Sequence, residues 1–139
     1  MSTDAPCSFC RIVSGLEPAH VVYEDASAVA FLDREPAARG HTLVIPRSHS
    51  RTLLDIDPLN AGALMTSVTY VARLLDRALH PDGLTTLQTN ERAGGQSAFH
   101  LHVHLIPRWT NDGLSLPRVT KRADPQTLSA TRAAILAAT

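Results

Sequence analysis

The sequence predicts an α+β fold in which a five-stranded antiparallel sheet carries one long helix and short N- and C-terminal helices. Three observations predict it. Three short apolar segments near the N-terminus follow one another with no helix between them, which favours antiparallel pairing over a doubly wound parallel sheet. A long segment with apolar residues at three- and four-residue steps follows them. Two further strand-like segments come after that helix, which brings the total to five.

The elements before the long helix are short and closely spaced. A short helix is expected over residues 8–14, and Gly15 ends it. Two strands are expected over 20–25 and 27–33, joined by a tight turn at Asp25 and Ala26. The third strand, 41–46, is apolar and β-branched and closes at a proline, as is typical of strand ends.

The long helix is expected over residues 57–80. Asp57 is a possible cap, and Pro58 suits the first helical position, where its missing N–H costs no hydrogen bond. One apolar face is formed by Leu64, Val68, Val71, Leu75 and Leu79.

The second half of the chain contains two strands and one helix. Strands are expected over 84–90 and 101–107, separated by the loop ERAGGQSAF. An irregular stretch follows, and residues 125–138 are expected to form a last short helix.

Length and charge exclude several classes of protein. At 139 residues the chain is expected to be a single domain, residues 1–139. With 13 basic and 13 acidic residues the net charge is zero, so we expect neither a nucleic-acid partner nor a membrane partner. No apolar run approaches the ~20 residues of a membrane span, and the first residues lack the pattern of a signal peptide. We therefore expect a cytoplasmic location.

Three of the seven histidines fall at alternate positions in FHLHVHLIPR. If the segment is a strand, His100, His102 and His104 share one face, while the apolar residues between them face the core. Three imidazoles on one face can be metal ligands, general acids and bases, or a nucleophile with binding groups. Alternation alone does not exclude a zinc site.

The loop before the histidines favours an anion site over a bare metal site. In AGGQSAF, two glycines let the backbone approach a ligand closely. Gln96 and Ser97 add an amide and a hydroxyl, and exposed backbone N–H groups in such a turn suit an anionic oxygen. Together with the histidines, these groups point to a phosphate.

These motifs together resemble the histidine triad family of nucleotide hydrolases and transferases. HLHVHLI fits that family's alternation of histidine and apolar residues, with GGQS just upstream. The segments FCRIVSGLEPAHVVYED, VAFLD, GHTLVIPRSH and QTNERAGGQSAFHLHVHLIPR extend the resemblance over residues 7–108. Residues 7–108 would then be the core of the domain, and 109–139 a C-terminal tail and helix.

The resemblance implies a homodimer that joins two five-stranded sheets into one, with the helix at 57–80 packed at the interface. The sequence alone shows only an apolar stripe on this helix, which could equally be buried within one chain.

The resemblance also implies a reaction. His102 would attack the α-phosphate of a nucleotide, and water would release a nucleoside monophosphate from the nucleotidyl-histidine intermediate. His104 would bind the α-phosphate. Gln96 and Ser97 would contact phosphate oxygens, with Ser97 near the leaving group, and Asn90 would also reach the phosphate.

Other roles are implied at matching positions. His41 would lie behind the triad as a relay or orienting group, and Asp33 would hold the ribose hydroxyls. The base would be sandwiched by three apolar residues, which without the resemblance would be assigned to core packing: Phe9, Ile12 and Phe31. Arg34 departs from the apolar residue often found after that aspartate, which affects the expected shape of the base pocket.

The spacing Cys7-x-x-Cys10 suits a metal clip or a redox pair. The absence of a surrounding βαβ pattern disfavours a thioredoxin-like pair. The Cys-x-x-Cys spacing resembles that of a version of the family, common in bacteria, that carries structural zinc. This resemblance implies His49 and His100 as the other ligands. The triad would then be divided, with His100 on the metal, His102 on the chemistry and His104 on phosphate.

The sequence therefore predicts a purine nucleotide hydrolase, either a nucleoside phosphoramidase or a dinucleoside polyphosphate hydrolase. The motifs do not separate these two activities. Three alternatives remain open at this point: a nucleotide-binding or regulatory module with little turnover, a nucleotidyltransferase, and an enzyme that uses the triad as a catalytic zinc site.

Overall fold

The computed structural model describes residues 7–115 and 121–139 and confirms the α+β fold. In chain order the elements are α1 (Ser8–Val13), β1 (Val21–Glu24), β2 (Ala28–Leu32), β3 (Thr42–Pro46), α2 (Pro58–Leu79), β4 (Gly83–Leu87), β5 (Val103–Arg108) and α3 (Pro125–Leu136). A single 3₁₀ turn, Arg92–Gly94, lies in the loop between β4 and β5.

The five strands form one antiparallel sheet in the order β1-β2-β3-β5-β4. β5 therefore lies between β3 and β4, and His104 on β5 is paired with Leu43 on one side and Leu87 on the other. β1 and β4 are the edge strands. The central place of β5 explains why its alternate residues can be buried on one face and available on the other.

The two faces of the sheet are covered by different helices. On one face, α2 packs its predicted apolar stripe against the strands, in a core with buried residues that include Val44, Val103 and Leu105. On the other face, α1 contributes Phe9 and Ile12 to a smaller cluster with Phe31 of β2. This second face is the one that carries the candidate site.

The ends of α2 follow the sequence signals in part. The helix begins at Pro58, as predicted, but the side chain of Asp57 makes no capping hydrogen bond. It ends at Leu79, and His80 takes up the left-handed conformation (φ 51°) as its backbone N–H donates to the carbonyl of Asp76.

The predicted strand over 101–107 begins later than expected. β5 starts at Val103, and the N–H of Leu101 donates instead to the carbonyl of Ser50 in another loop, at 2.7 Å. Of the three histidines only His104 belongs to β5, and His102, which the predicted bounds 101–107 include, lies just before the strand. The apolar alternation persists all the same, because Leu101, Val103 and Leu105 are all buried.

The C-terminal helix was predicted over 125–138 and is present as Pro125–Leu136. All of its residues are exposed. No helix in the two described ranges combines the length and the apolar character that a membrane crossing requires.

Candidate functional site

A cavity of about 540 Å³ opens on the face of the sheet that α1 covers. It is bounded by α1, the ends of β1 and β2, and the chain that enters β5. Its walls include seven of the residues that the sequence analysis selects: Phe9, Ile12, Phe31, Asp33, Ser97, His102 and His104. The cavity therefore brings together residues that the sequence analysis predicts to contact the base, the ribose and the phosphate of a nucleotide.

One end of the cavity is apolar. Phe9 of α1 meets Phe31 of β2 edge to face, with ring centroids 5.4 Å apart. Ile12 and Leu43 continue this wall. Phe9 and Ile12 belong to the smaller core cluster as well as to the cavity wall. Core packing and a site for a planar apolar group are thus compatible roles for the same side chains.

His102 is held in one orientation and one tautomer. Its Nδ1 lies 2.8 Å from the carbonyl oxygen of His100, to which it must donate, so Nε2 carries the lone pair of the neutral ring. Burial lowers the pKa of His102, while the His100 carbonyl and the charge of Asp33 raise it in part. The Phe9 ring packs nearly perpendicular to this imidazole, with centroids 5.3 Å apart.

His104 is fixed through a chain of hydrogen bonds that starts at a backbone amide. The N–H of Ala37 donates to Nδ1 of His41 at 2.9 Å, so the proton of the neutral His41 ring is on Nε2. That nitrogen donates to Nδ1 of His104 at 2.9 Å, which leaves the proton of His104 on Nε2. His104 therefore offers the cavity a hydrogen-bond donor, as a phosphate oxygen requires.

Burial also lowers the pKa of His104, to about 4, with additional effects in the same direction from His102 and His41. The pKa of His41 is lowered by burial and raised in part by Asp33. At neutral pH the three imidazoles are therefore uncharged, and the tautomers assigned from their hydrogen bonds are the states that matter.

Asp33 follows β2 and lies where the cavity meets His41. Its N–H donates to the carbonyl of His41, and its Oδ1 accepts from the N–H of Glu35. Oδ2 lies 3.5 Å from Nε2 of His41. The carboxylate is partly exposed to the cavity, so it can accept hydrogen bonds from a ligand.

Two polar residues of the GGQS loop, Ser97 and Gln96, have different surroundings. Ser97 is exposed and lines the cavity. Gln96 is buried and turned into its own loop, where its amide group bonds to the carbonyls of Arg51 and Ala98 and to the N–H of Glu91.

Asn90 is likewise engaged away from the cavity. Its side-chain oxygen accepts from the N–H of Leu53 and the amide of Gln88, and its amide nitrogen donates back to Gln88. Neither Gln96 nor Asn90 is among the described residues that line the cavity, so direct phosphate contact by either remains a prediction.

A second group of side chains converges beside the cavity. The Sγ atoms of Cys7 and Cys10 and the Nδ1 atoms of His49 and His100 lie 3.2–3.6 Å apart in the sulfur–nitrogen and nitrogen–nitrogen pairs. Metal–ligand bonds of zinc place tetrahedral ligand atoms about 3.3–3.8 Å apart. Nε2 of His100 donates to the carbonyl of Pro46 at 2.9 Å, so the lone pair of the neutral ring is on Nδ1, which faces the thiols as a ligand nitrogen would. The four residues fit a tetrahedral metal ion.

Asp33, His41 and His104 form another group whose potential ligand atoms lie close together. Here the hydrogen bonds argue against a metal. The N–H of Ala37 occupies Nδ1 of His41, so Nε2 carries a proton and has no lone pair to offer. Since His100 also faces the cysteines, the triad histidines do not converge on one point, which argues against a catalytic zinc site built from them.

Several cavity residues were missed by the sequence analysis. They are Ser8, Glu17, Pro18, Ala19, His20, Leu32, Glu35, Leu43 and Ala98. Leu43 was accessible from the sequence, because it alternates with His41 in HTLVIP and so shares its face. The amide of Ala37 carries no side-chain signal, and its role depends on how the loop folds back onto His41.

A family model described as HIT domain matches residues 14–111, about 70% of the chain. Among solved structures, a HIT family protein from Bacillus anthracis superposes with a TM-score of 0.89 at 31% identity, covering 97% of this chain and 98% of that one. The fold is therefore that of these proteins.

Two further similarities bear on chemistry and metal. The Arabidopsis thaliana protein named adenylylsulfatase HINT3 is 36% identical over 108 residues, which is 78% of this chain and 55% of the relative. A Zn-bound histidine triad family protein from Mycobacterium smegmatis superposes with a TM-score of 0.75 at 37% identity, covering 96% of this chain and 97% of that one.

Proposed function

Because the chain belongs to the HIT domain family, the histidine triad proteins, we propose that it is a hydrolase that cleaves purine nucleotides at the α-phosphate through a nucleotidyl-histidine intermediate. The leaving group would be an amine, as in a nucleoside phosphoramidase, or a phosphate chain, as in a dinucleoside polyphosphate hydrolase. The name of the Arabidopsis thaliana relative, an adenylylsulfatase, supports hydrolysis next to an adenylyl group.

The single observation that carries the proposal is the state of His102. Its Nδ1 proton is held by the His100 carbonyl, and its other nitrogen carries a lone pair in a ring that lines the cavity. A neutral, oriented imidazole is a competent nucleophile at neutral pH. His104 offers a proton donor beside it, with ring centroids 4.9 Å apart.

In the first step the lone pair of His102 Nε2 would form a bond to the α-phosphorus. The bond between phosphorus and the leaving group would break, and the leaving group would take its electron pair. An amine leaving group would also take a proton from the Ser97 hydroxyl, which the solvent replaces. The donor at Nε2 of His104 would stabilise the charge on the non-bridging oxygens.

In the second step a water molecule would attack the same phosphorus. The bond between phosphorus and His102 Nε2 would break, its electron pair would return to the ring, and a proton from the water would pass to the solvent. The products would be a nucleoside monophosphate and the starting imidazole. Splitting one displacement into two in this way gives each step a good leaving group.

The donor set also supports a structural zinc ion held by Cys7, Cys10, His49 and His100. A closed site of two thiolates and two imidazoles leaves no open position for substrate. The chemistry it supplies is cross-linking, because it would tie α1 to the two loops that carry His49 and His100.

A homodimer is supported by the surfaces that one chain leaves exposed. β4 is an edge strand, and edge strands carry unpaired backbone groups that favour pairing with another chain. α2 exposes Met65, and Tyr70 is half exposed on the same helix. Pairing of two β4 edges would join the sheets across a two-fold axis.

The test is intact-protein mass spectrometry after brief mixing with an adenosine phosphoramidate, combined with measurement of AMP release. Wild-type protein should release AMP and show an adenylyl adduct on rapid quenching. His102→Ala should lose both. The matched control is His80→Asn, which replaces an exposed histidine outside the cavity with a residue that tolerates the left-handed backbone there, and it should behave as wild type.

Other outcomes identify the alternatives. Turnover that survives His102→Ala would overturn the nucleophile assignment. An adduct that forms but transfers its nucleotide to an added phosphate acceptor faster than to water would indicate a nucleotidyltransferase. Binding of AMP without turnover of the phosphoramidate or of a dinucleoside polyphosphate would indicate a binding module.

A further inference from the structure

Asp33 contacts both the cavity and a buried histidine behind the cavity wall. Its carboxylate lines the cavity at the end of β2, and the same carboxylate lies beside the buried ring of His41. His41 is not among the described residues that line the cavity, yet it holds His104, which does line it. A continuous path therefore runs from one wall of the cavity, through the interior, to another wall.

The centre of this path is a single proton. The Ala37 amide occupies Nδ1 of His41, so the neutral ring has one N–H, at Nε2. Two acceptors face that N–H: Nδ1 of His104 at 2.9 Å and Oδ2 of Asp33 at 3.5 Å. The shorter distance is to His104, which accepts the hydrogen bond, and the carboxylate is the competing acceptor.

A ligand that donates hydrogen bonds to Asp33 would change this competition. A carboxylate has a limited number of lone-pair positions, and one of its oxygens already accepts from the N–H of Glu35. A vicinal diol bound to the remaining positions would disperse the negative charge. The N–H of His41 would then donate to His104 alone. The ring of His104 would be held more firmly in the orientation that faces the phosphate.

We propose that Asp33 is a positioning residue for His104, acting through His41, so that occupation of the cavity by a ribose diol sets the hydrogen bond that orients the phosphate-binding histidine. The inference rests on the proposed function, because it requires a nucleotide in this cavity. It goes beyond ribose binding, since a carboxylate that only holds the sugar would have no effect on His104.

The proposal predicts that the ribose diol affects both KM and kcat, each for a different reason. Loss of the diol would weaken substrate binding, which raises KM, and would also loosen His104 in the transition state, which lowers kcat. Coupling between two sites typically amounts to about 5–150-fold. We expect a 2′,3′-dideoxyadenosine phosphoramidate to show a kcat about 5- to 10-fold below that of the ribose substrate, and this difference should vanish in Asp33→Asn.

Asn is the appropriate substitution at this position. Its side-chain oxygen can still accept from the N–H of Glu35, so the loop after β2 keeps its hydrogen bond, while the charge that competes for the His41 proton is removed. The matched control is Asp76→Asn, which removes a carboxylate from the exposed surface of α2.

The decisive measurement is independent of turnover. In zinc-loaded protein with ¹⁵N-labelled histidine, the ring-nitrogen signals of His41 and His104 are followed by NMR as AMP or 2′,3′-dideoxy-AMP is added. We expect AMP to move the His41 Nε2 signal and the dideoxy nucleotide to leave it near its ligand-free position at saturation. In Asp33→Asn the two nucleotides should give the same His41 signal, and Asp76→Asn should match wild type.

Two results would overturn the proposal, and they differ in what else they reject. If both nucleotides shift His102 and His104 but move the His41 signal equally in wild type, the coupling is absent while nucleotide binding stands. If neither nucleotide moves any of these signals, the coupling and the proposed function fail together.

Discussion

The carbonyl oxygen of His100 accepts a hydrogen bond from Nδ1 of His102 at 2.8 Å, while the ring of His100 faces the two cysteines. One residue thus joins the candidate metal site to the candidate nucleophile through its backbone and its side chain. A metal ion at the cysteines would restrain the backbone that sets the tautomer of His102. It would support catalysis by position, without contact with substrate.

Loss of a metal ion from this site should therefore reduce the proposed activity without abolishing it. In Cys7→Ser we expect the zinc content to fall and the midpoint of thermal unfolding to drop by about 5–10 °C, because metal binding contributes to folding free energy. We expect kcat to fall on the order of 10-fold, as for other changes around a metal site. Metal analysis, thermal unfolding and AMP release on the same preparation test this.

The control for this substitution is Ser48→Ala, an exposed change beside His49 that removes no ligand. It should keep its zinc, its unfolding midpoint and its turnover. A metal-depleted protein as inactive as His102→Ala would contradict a purely structural role for the ion.

The buried histidines should make stability depend on pH. The folded protein binds a proton at His104 only near pH 4, whereas an unfolded chain does so near the ordinary pKa of 6.5. Between these pH values the unfolded chain binds more protons, so the free energy of unfolding should decrease as the pH is lowered from about 7 to 4. Urea unfolding at several pH values should show this slope, and His104→Gln should reduce it.

His80→Asn provides the comparison, because it removes an exposed histidine. Its slope should equal that of wild type even if its absolute stability differs. A slope in His104→Gln as steep as in wild type would show that the proton uptake belongs to other groups.

The sequence predicted the five strands, the helices and the apolar face of α2, because each depends on local periodicity. It did not predict the start of β5, since Leu101 pairs with Ser50, a residue 51 positions away. It also did not predict that the side chain of Gln96 is buried in its own loop, because that side chain bonds to the carbonyl of Arg51, which is distant in sequence. The fixed tautomer of His41 depends on a backbone amide, and an amide is common to almost every residue.

The carboxylate of Asp25 links the first hairpin to α2. It accepts hydrogen bonds from the hydroxyls of Tyr23 and Ser67 and from the N–H groups of Ser27 and Ala28. Burial raises the pKa of Asp25, but these four hydrogen bonds together lower it below its ordinary value. The charged form is thus the one that the fold stabilises.

Removal of this carboxylate should destabilise the protein at a distance from the cavity. We expect Asp25→Ala to lower the free energy of unfolding by about 2–4 kcal/mol, since several donors lose their acceptor. Tyr23→Phe removes one of these hydrogen bonds and should destabilise the protein less than Asp25→Ala. Urea unfolding measures both, and kcat measured at a temperature where each variant is folded should remain that of wild type. A kcat change in either variant would show that the hairpin communicates with the site.

The exposed surface of α2 allows a test of the homodimer. Light scattering coupled to gel filtration should give a mass of twice the 15.0 kDa chain for wild type. Met65 is about half exposed in one chain, and if α2 lies at the interface, Met65→Lys would bury a charge there and shift the equilibrium toward monomer by at least about 10-fold. Leu16→Lys, which adds the same charge at an exposed apolar residue in the turn after α1, should leave the mass unchanged. A monomeric wild type, or equal effects of the two lysines, would argue that the exposed face of α2 serves another purpose.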